Sequence, residues 1–540
     1  MDETLDDACK RNPHLSEYLS QLKNSNNSTP LFTAQLAPEM ALDKNPNIIY
    51  PVGEPIFIHI HREPQKEIES TVIEPKLKQN EIQKYNLVVE KVLEKGIREA
   101  KPVSKEALKQ KLLSLLDETV KVGAVAKKLF LPSSVSVTKD EYDRFRYLIV
   151  RDIIDSGPVE ALLLDPYLED IYCIGLNPVS IVHKIFGNIK TNIQFDSKVA
   201  LDSWLRAMSE RIGRPIGDAN PLASGTLPSG SRIAIAYSDD ISRRGSSFSI
   251  RKFTKNPLSI TQLIKFGTLS SEEAAYLWLC LENGMSVFLC GETASGKTAA
   301  LNAILVFIDP KAKIYSAEDA TEVTSPHEVW QQLATKEDGP EESQVQMFTL
   351  LKAALRSRPN YIIVGEIRGV EGAVAFQAMQ TGHPVMATFH ASSVKKMIQR
   401  FIGAPINVPV TFIDNLNVCV VLHSLYRDGM LIRRVVAIEE LEGYYEEAGG
   451  VVTRAVFQWD SSTDKHHFRG LNNSYILEEK IAKRQGYRDK RKIYDELAIR
   501  AKVLDAMLDN EIFDFMETFD IVKIYREHGV EGLPFPVEVP

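Results

Sequence analysis

The chain has 540 residues, of which 44% are hydrophobic and 25% charged, and its net charge is −8 at pH 7. This composition is ordinary for globular proteins and is enough for two or three domains, each with its own core. The acidic balance argues against a dedicated nucleic-acid binder, because such proteins are usually basic over at least one domain.

Cysteine usage and hydropathy indicate the compartment. The five cysteines form no CxxC pair, so the sequence predicts neither a zinc site nor a disulfide framework. The first residues lack a basic segment followed by an apolar core, which predicts no secretory signal. Apolar runs also fall short of the roughly 20 residues needed to span a bilayer. We therefore expect a cytoplasmic protein that meets the membrane, at its cytoplasmic face, only through partners.

The chain begins with two regions of different character. In residues 1–75, clustered Asn and Ser and recurring Pro predict a variable, partly flexible N-terminal extension with one strand, at 56–61. In residues 76–138, apolar side chains recur at helical spacing between charges, which predicts a helical subdomain. Pro102, followed by Ser104 and Glu106, predicts a break between two helices.

Two α/β regions follow. Residues 139–253 read as a smaller α/β domain, with short strand-like runs between helices and a turn at residues 228–230. In residues 254–540, helices and strands alternate to about residue 440, a pattern typical of a mostly parallel sheet flanked by helices. The last hundred residues are predicted to be mainly helical.

The strongest motif is a phosphate-binding loop between a predicted strand and a predicted helix. Its sequence follows G-x-x-x-x-G-K-[ST] and consists of Gly291, Glu292, Thr293, Ala294, Ser295, Gly296, Lys297 and Thr298. Glycines let the backbone approach phosphate oxygens, and amides at the helix start point at the anion. We expect Lys297 to reach the β- and γ-phosphates of a nucleotide and Thr298 to ligate Mg²⁺.

Carboxylates follow two later strands. The apolar run from Tyr361 to Val364 ends at Glu366, as expected of a strand that positions Mg²⁺ or water beside a nucleotide. Earlier, Glu318, Asp319 and Glu322 place three carboxylates within five residues, a cluster that can orient an attacking water molecule.

Two histidines lie seven residues apart, at His383 and His390. No third ligand has suitable spacing, so zinc is not predicted. A role in sensing the γ-phosphate, or in crossing a subunit interface, suits the pair better.

These four elements, in this order, resemble the motifs of the secretion-superfamily ATPases that power type II secretion, type IV pili and the archaellum. The matching stretches are GETASGKT, SAEDATE, IIVGEIRG and TGHPVMATFHA. The resemblance implies a C-terminal RecA-like P-loop motor domain with a parallel sheet, preceded by a smaller α/β (PAS-like) domain and an N-terminal helical region. It also implies ATP and Mg²⁺ as cofactors.

The resemblance implies a role for several residues. Glu322 is the water-activating acid, Glu366 the acid that also holds the metal with Thr298, and His383 and His390 form the histidine pair. In this family ATP binds between the two main domains, with arginines from the N-terminal one reaching it. Arg232, Arg244 and Arg251 lie in the matching stretch, and which of them reaches the nucleotide stays open. Such a cation would offset charge that develops on the transferred phosphoryl group.

The chain lacks the four-cysteine insertion of the bacterial branch and looks archaeal, most like the archaellum motor. The resemblance therefore implies a homohexamer that acts on a polytopic membrane platform protein, with accessory cytoplasmic proteins and no direct nucleic acid. The alternatives are an archaeal pilus ATPase, an archaeal type II-like secretion ATPase, a P-loop nucleic-acid motor and a nucleotide-binding regulator.

Overall fold

The computed structural model describes residues 4–24, 28–37, 40, 42–63, 65–97, 104–123, 134–253, 256–336, 341–427, 430–447 and 449–538. These residues fall into two units, Met1–Phe253 and Thr254–Pro540. In the part of the chain so described, no helix is both long and apolar enough to cross a bilayer.

In its described residues, the first unit contains twelve strands and seven α-helices. The strands are β1 Leu31–Phe32, β2 Asn47–Gly53, β3 Ile56–Arg62, β4 Ile68–Ile73, β5 Val120–Val122, β6 Val135–Val137, β7 Leu168–Ile174, β8 Ser180–His183, β9 Gly187–Thr191, β10 Leu222–Thr226, β11 Arg232–Ala236 and β12 Ser247–Arg251. The helices are α1 Leu5–Arg11, α2 Pro13–Asn24, α3 Ile82–Ile97, α4 Lys105–Thr119, α5 Lys139–Ile149, α6 Glu160–Leu164 and α7 Lys198–Arg211. A π-helical turn, Val150–Ile154, extends α5, and a 3₁₀ turn, Gly157–Val159, precedes α6.

Ten of these strands form one sheet, in the order β1-β2-β3-β4-β9-β8-β7-β12-β11-β10. The strand expected at 56–61 is β3, but its neighbours β2 and β4 were not expected. Pro51 interrupts the apolar run of β2, and the pairing of β2 with β3 is irregular between Pro51 and Gly53. The strands of residues 31–73 therefore belong to the same sheet as strands of the α/β region.

A short parallel contact joins β4 to β9 and so links the N-terminal strands to the strands of the α/β region. Its register pairs Glu69 with Lys190 and Ser70 with Thr191. The side chain of Asn192 then continues the ladder, since its Oδ1 accepts from the amide of Val72 at 2.8 Å and its Nδ2 donates to the carbonyl of Val72 at 3.1 Å. Apolar side chains from both regions share one core.

Helices α3, α4 and α5 enclose a separate core in the helical region. Val88 and Val92 of α3 lie four residues apart and meet Leu112 and Leu116 of α4, which repeat the same spacing, with Phe145 of α5. The break predicted at Pro102 lies outside the described residues.

The second unit, over the part that the structure describes, contains nine strands and eight α-helices. The strands are β13 Val287–Gly291, β14 Ile314–Glu318, β15 Trp330–Ala334, β16 Tyr361–Ile367, β17 Val385–Phe389, β18 Val418–Arg427, β19 Met430–Tyr445, β20 Gly450–Asp460 and β21 Lys465–Phe468. The helices are α8 Ile260–Lys265, α9 Ser271–Glu282, α10 Lys297–Ile304, α11 Met347–Ser357, α12 Glu371–Gln380, α13 Val394–Ile402, α14 Ile493–Asp509 and α15 Phe515–His528, with a π-helix at Ile476–Ala482. Short 3₁₀ turns lie at Leu305–Phe307, Glu341–Ser343, Val410–Asn415, Lys490–Lys492 and Val530–Gly532.

Strands β13 to β21 form one sheet in the order β15-β14-β16-β17-β13-β18-β19-β20-β21. The six strands from β15 to β18 are parallel, and β18 to β21 are antiparallel. The unit is thus a mixed α/β structure with a parallel sheet, as expected. The prediction for the last hundred residues was wrong in part, because β20 and β21 precede α14 and α15. Strand β20 is rich in valine and aromatic residues, a composition that favours strands and that the helical interpretation overlooked.

A buried carboxylate, Glu440 of β19, ties the sheet to the C-terminal helices. Its Oε1 accepts from the hydroxyl of Tyr276 in α9 at 2.8 Å and from Ser474. Its Oε2 accepts from the amides of Tyr475 and Ile476 at 2.7 and 3.3 Å. The amides belong to the start of the π-helix, so one side chain of β19 satisfies groups on two other elements, α9 and the π-helix.

We expect Glu440→Ala to lower the free energy of unfolding by about 3 kcal/mol, because it leaves the Tyr276 hydroxyl and two amides buried without an acceptor. Guanidinium unfolding followed by intrinsic fluorescence measures the change. Glu446→Ala, at an exposed turn, is the matched control and should change stability by less than about 0.5 kcal/mol. Equal stability of the two variants would contradict the role assigned to Glu440.

Candidate functional site

The phosphate-binding loop connects β13 to α10 in the middle of the parallel sheet. All five residues of β13 are buried, and α10 begins at Lys297. A Cβ at Gly291 would lie 2.4 Å from the carbonyl oxygen of Leu422 and 2.4 Å from Oγ of Ser295, so only glycine fits there. Gly296 has φ of 90°, in the left-handed region that favours glycine. The first turn of α10 therefore presents its amides at the carboxyl edge of the sheet, where an anion binds.

Lys297 is the cation of this loop. Its side chain is buried to 7% exposure, and its Nζ donates to the carbonyls of Gly291 and Glu292 at 3.1 and 2.8 Å. The same nitrogen lies 3.5 Å from Nδ1 of His390. Thr298, the next residue, is half-buried in the first turn of α10. The lysine is thus held at the loop, beside the end of the neighbouring strand β17.

Glu366, near the end of β16, is an acid of the same site, and the charge of Lys297 acts on it. Its Oε1 lies 2.9 Å from Nε2 of His390, and its Oε2 accepts from Nη2 of Arg368 at 2.5 Å. Burial would raise the pKa of Glu366, but the hydrogen bond and charge of Arg368, with the charges of His390 and Lys297, hold it below its ordinary value. Glu366 is therefore an anion surrounded by cationic and imidazole groups.

His390 follows the last residue of β17 and bridges Lys297 and Glu366. Burial and the positive charge of Lys297 lower the pKa of His390, and the opposing effect of Glu366 is smaller. The ring is therefore neutral near pH 7, with one nitrogen able to donate and the other to accept.

The acidic run that begins at the end of β14 includes one carboxylate, Glu318, that faces the protein interior. Glu318 is buried, and its Oε2 accepts from the amides of Glu322 and Val323 at 2.6 and 2.7 Å. Burial raises the pKa of Glu318. A Cβ at Gly365 would lie 2.9 Å from Cγ of Glu318, so the glycine beside Glu366 makes room for this carboxyl. Glu318 thus supports the loop that carries Glu322.

Arg368 connects the two acidic elements. Its hydrogen bond with Glu366, together with the negative charges of Glu366, Asp319 and Glu322, raises the pKa of Arg368. Nη1 of Arg368 lies 3.4 Å from Oδ2 of Asp319. The carboxyl edge of the second unit therefore brings together the lysine, the acids and one histidine of the predicted set.

The second histidine of that set lies elsewhere. His383 precedes β17, at the amino edge of the sheet, and its Nδ1 lies 3.2 Å from Oγ1 of Thr381. The strand between the two histidines separates them by about 20 Å. Within one chain His383 therefore does not join His390.

The three predicted arginines belong to the first unit. Arg232 begins β11 and Arg251 ends β12, and the two are directly opposite in the antiparallel register, so their side chains share one face of the sheet. Arg244 lies in the turn before β12, and the turn is close-packed because a Cβ at Gly175 would lie 2.0 Å from its carbonyl oxygen. Arg244 and Arg251 are exposed and Arg232 is half-buried.

Three residues of the site had no role in the sequence analysis. Arg368 could have been noticed from its place two residues after Glu366. Asn302 of α10 donates to the carbonyl of Glu322 at 3.0 Å and accepts from the amide of Thr324 at 3.1 Å. Arg433 of β19 donates from Nε to the carbonyl of Ala294 at 3.0 Å. Neither Asn302 nor Arg433 carries a sequence signal, because each acts through contacts with distant segments.

The groups present fit a nucleoside triphosphate with Mg²⁺. Helix amides and Lys297 suit phosphate oxygens, while Thr298 and Glu366 offer the oxygen ligands that Mg²⁺ prefers. In the described ranges, no cluster of three or more His, Cys, Asp and Glu side chains is arranged to hold a metal ion. Mg²⁺ in such sites usually takes one or two protein ligands together with substrate phosphates.

The chain is similar to several known proteins. The family described as "Type II/IV secretion system protein" matches residues 152–417. An uncharacterized protein of Methanocaldococcus jannaschii, MJ0900, is 55% identical over 99% of this chain and 98% of that relative. Protein VirB11 of Agrobacterium fabrum is 27% identical over 33% of this chain and 59% of its own length. The X-ray structure of the Legionella pneumophila ATPase DotB shares 16% identity and covers 67% of this chain and 93% of that one, with a TM-score of 0.37.

We expect Asn302→Ala to lower kcat for ATP about tenfold or more while KM changes little, because the loop of Glu322 loses its anchor on α10. Steady-state ATPase kinetics measure this split. Asn283→Ala removes a comparable set of hydrogen bonds at the amino edge of the sheet and should leave kcat unchanged. Equal kcat values in the two variants would contradict the positioning role.

Proposed function

This chain belongs to the type II/IV secretion system family of ATPases, and on that premise we propose that it is a ring-forming cytoplasmic motor that drives an archaeal surface filament. The observation that carries the proposal is the cluster at the carboxyl edge of the second unit. There His390 lies between the other two groups, with Nδ1 at 3.5 Å from Nζ of Lys297 and Nε2 at 2.9 Å from Oε1 of Glu366. This cluster sits beside a helix N-terminus, which suits binding and cleavage of ATP.

Each group has a role in the proposed hydrolysis. Lys297 and the loop amides bind the β- and γ-phosphates, and Thr298 and Glu366 hold Mg²⁺. Glu322 orients the attacking water, and His390, neutral and in contact with both Lys297 and Glu366, senses the terminal phosphate. Arg368, which neutralises Glu366, keeps the acid ionised and in place.

The mechanical part of the proposal rests on the family. We assign the second unit as the RecA-like motor domain and the residues 139–253 as the PAS-like domain, joined in a homohexamer. ATP binding between the two, with Arg232, Arg244 or Arg251 reaching the phosphates, would close the cleft and displace a polytopic membrane platform protein. The homology to an archaeal protein over nearly the whole chain supports an archaeal machine, and the archaellum is the filament that we favour. An archaeal type II-like secretion machine is the alternative.

We expect Glu322→Gln to keep ATP binding and to lower kcat at least about a hundredfold, because the amide cannot accept a proton from water. Lys297→Ala should lose both ATP binding and ATP hydrolysis, because the loop then lacks the cation that binds the phosphates. ATP binding by calorimetry and phosphate release measure the two steps. In the source organism, the Glu322→Gln chain should fail to restore surface filaments to a deletion strain.

The matched control is Glu328→Gln, an exposed acid of the same loop, which should hydrolyse ATP and restore filaments normally. Near-normal turnover in Lys297→Ala would contradict the site assignment. Normal filaments in the deletion strain, with export of another protein lost, would favour the secretion alternative.

We expect Arg244→Ala or Arg251→Ala to lower kcat about a hundredfold or more while ATP binding is largely kept, because an arginine that offsets transition-state charge acts on the chemical step. Arg243→Ala, which removes an exposed neighbouring charge, should have no effect. The proposed arginine role is contradicted if both variants lose binding alone or lose nothing.

A further inference from the structure

The hairpin of β18 and β19 projects past the phosphate-binding loop. Strand β13 ends at Gly291, which pairs with Leu422, and β18 continues from there to Arg427. Five further residues of a strand extend about 16 Å. The hairpin thus passes the carboxyl edge of the sheet beside the loop, where β13 has already turned into α10.

One face of this projecting hairpin is turned towards the loop. Arg433 contacts it, because its Nε donates to the carbonyl of Ala294 and its Cδ would lie 3.2 Å from a Cβ at Gly296. The register places Ser424 opposite Arg433 and Tyr426 opposite Leu431. Residues directly opposite in a pair, and residues two apart on a strand, share a face. Tyr426 and Leu431 therefore lie on the same face of the hairpin as Arg433, two residues closer to its tip.

Tyr426 and Leu431 form an exposed apolar platform, which we call the Tyr426–Leu431 platform. Tyr426 is 77% exposed and Leu431 is 42% exposed, whereas Leu422 and Val435 on the same face are buried in the core. An aromatic ring beside a branched aliphatic side chain offers a flat surface for a π-system.

The order of strands decides which end of a nucleotide lies here. Strand β16 carries Glu366, and β17 leads into His390. Both strands lie on one side of β13, and the hairpin lies on the other. A nucleotide whose phosphates occupy the loop, with the terminal phosphate towards Glu366, directs its nucleoside to the opposite side. That side is the one on which Arg433 and the Tyr426–Leu431 platform lie.

We propose that the Tyr426–Leu431 platform binds the purine base of the nucleotide, with Arg433 holding the hairpin against the phosphate-binding loop. The inference rests on the proposed ATP site and deepens it by assigning a base-binding subsite. Stacking on an aromatic ring tolerates any base, so the platform adds affinity for the nucleoside and leaves the chemical step unchanged.

The test compares ATP with inorganic tripolyphosphate, which has the phosphates and no base. Tyr426→Ala should raise KM for ATP about tenfold with kcat unchanged, the size expected for one stacked base. The inhibition constant of tripolyphosphate against ATP hydrolysis should not change. Tyr426→Phe should behave as the wild type, because the ring is kept.

The matched control is Tyr445→Ala, which removes a half-exposed tyrosine from the far end of the same strand, β19. It should leave both constants unchanged. An unchanged KM for ATP in Tyr426→Ala overturns the base subsite. If Tyr426→Ala weakens inhibition by tripolyphosphate by the same factor as it raises KM for ATP, the base subsite is also overturned, because the hairpin then acts through the phosphate-binding loop. A change of oligomeric state in Tyr426→Ala, by light scattering, also overturns it in favour of a second copy of the chain. Failure of the proposed function is distinct: the wild type would then neither hydrolyse ATP nor bind tripolyphosphate.

Discussion

The parallel hydrogen bonding of β13 to β17 on one side and to β18 on the other is the constraint on which the candidate site depends. Because β13 is buried along its whole length, its side chains can only pack, and the chemistry begins where the strand ends at Gly291. The same pairing aligns the carboxyl ends of the neighbours, so His390 and Leu422 arrive at the same edge. Parallel sheets place ligand sites at this edge for that reason.

Charge balance is the second organising feature of the site. Three acidic side chains, Glu366, Asp319 and Glu322, face Arg368, while Lys297 is held by backbone carbonyls of its own loop. The charge of Glu366 is therefore balanced by protein groups of opposite sign, which hold the pKa of Glu366 below its ordinary value. Glu318 differs, because it is buried and serves the backbone of the acidic loop.

Local patterns allowed the sequence to predict the strand, loop and helix around Lys297 and the strand that ends near Glu366, because those signals lie within a dozen residues. Contacts between distant segments escaped prediction. Asn302 supports Glu322 from twenty residues away, and Arg433 meets the loop from a strand far along the chain. His383 lies apart from His390, since the five residues of β17 between them place the two histidines at opposite edges of the sheet. β2 and β4 were missed because their pairing partners, and not their own sequences, define them.

The contact between β4 and β9 has a consequence for synthesis. Val72 and Asn192, which complete that ladder, are 120 residues apart. At about 5–20 residues per second, a ribosome needs roughly 6–24 s to make the intervening chain. During that interval β4 has an unpaired edge with apolar residues beside it, a surface prone to wrong pairing. The N-terminal strands therefore depend on a partner that emerges late, and a chaperone that covers this edge would protect the nascent chain more than the finished protein.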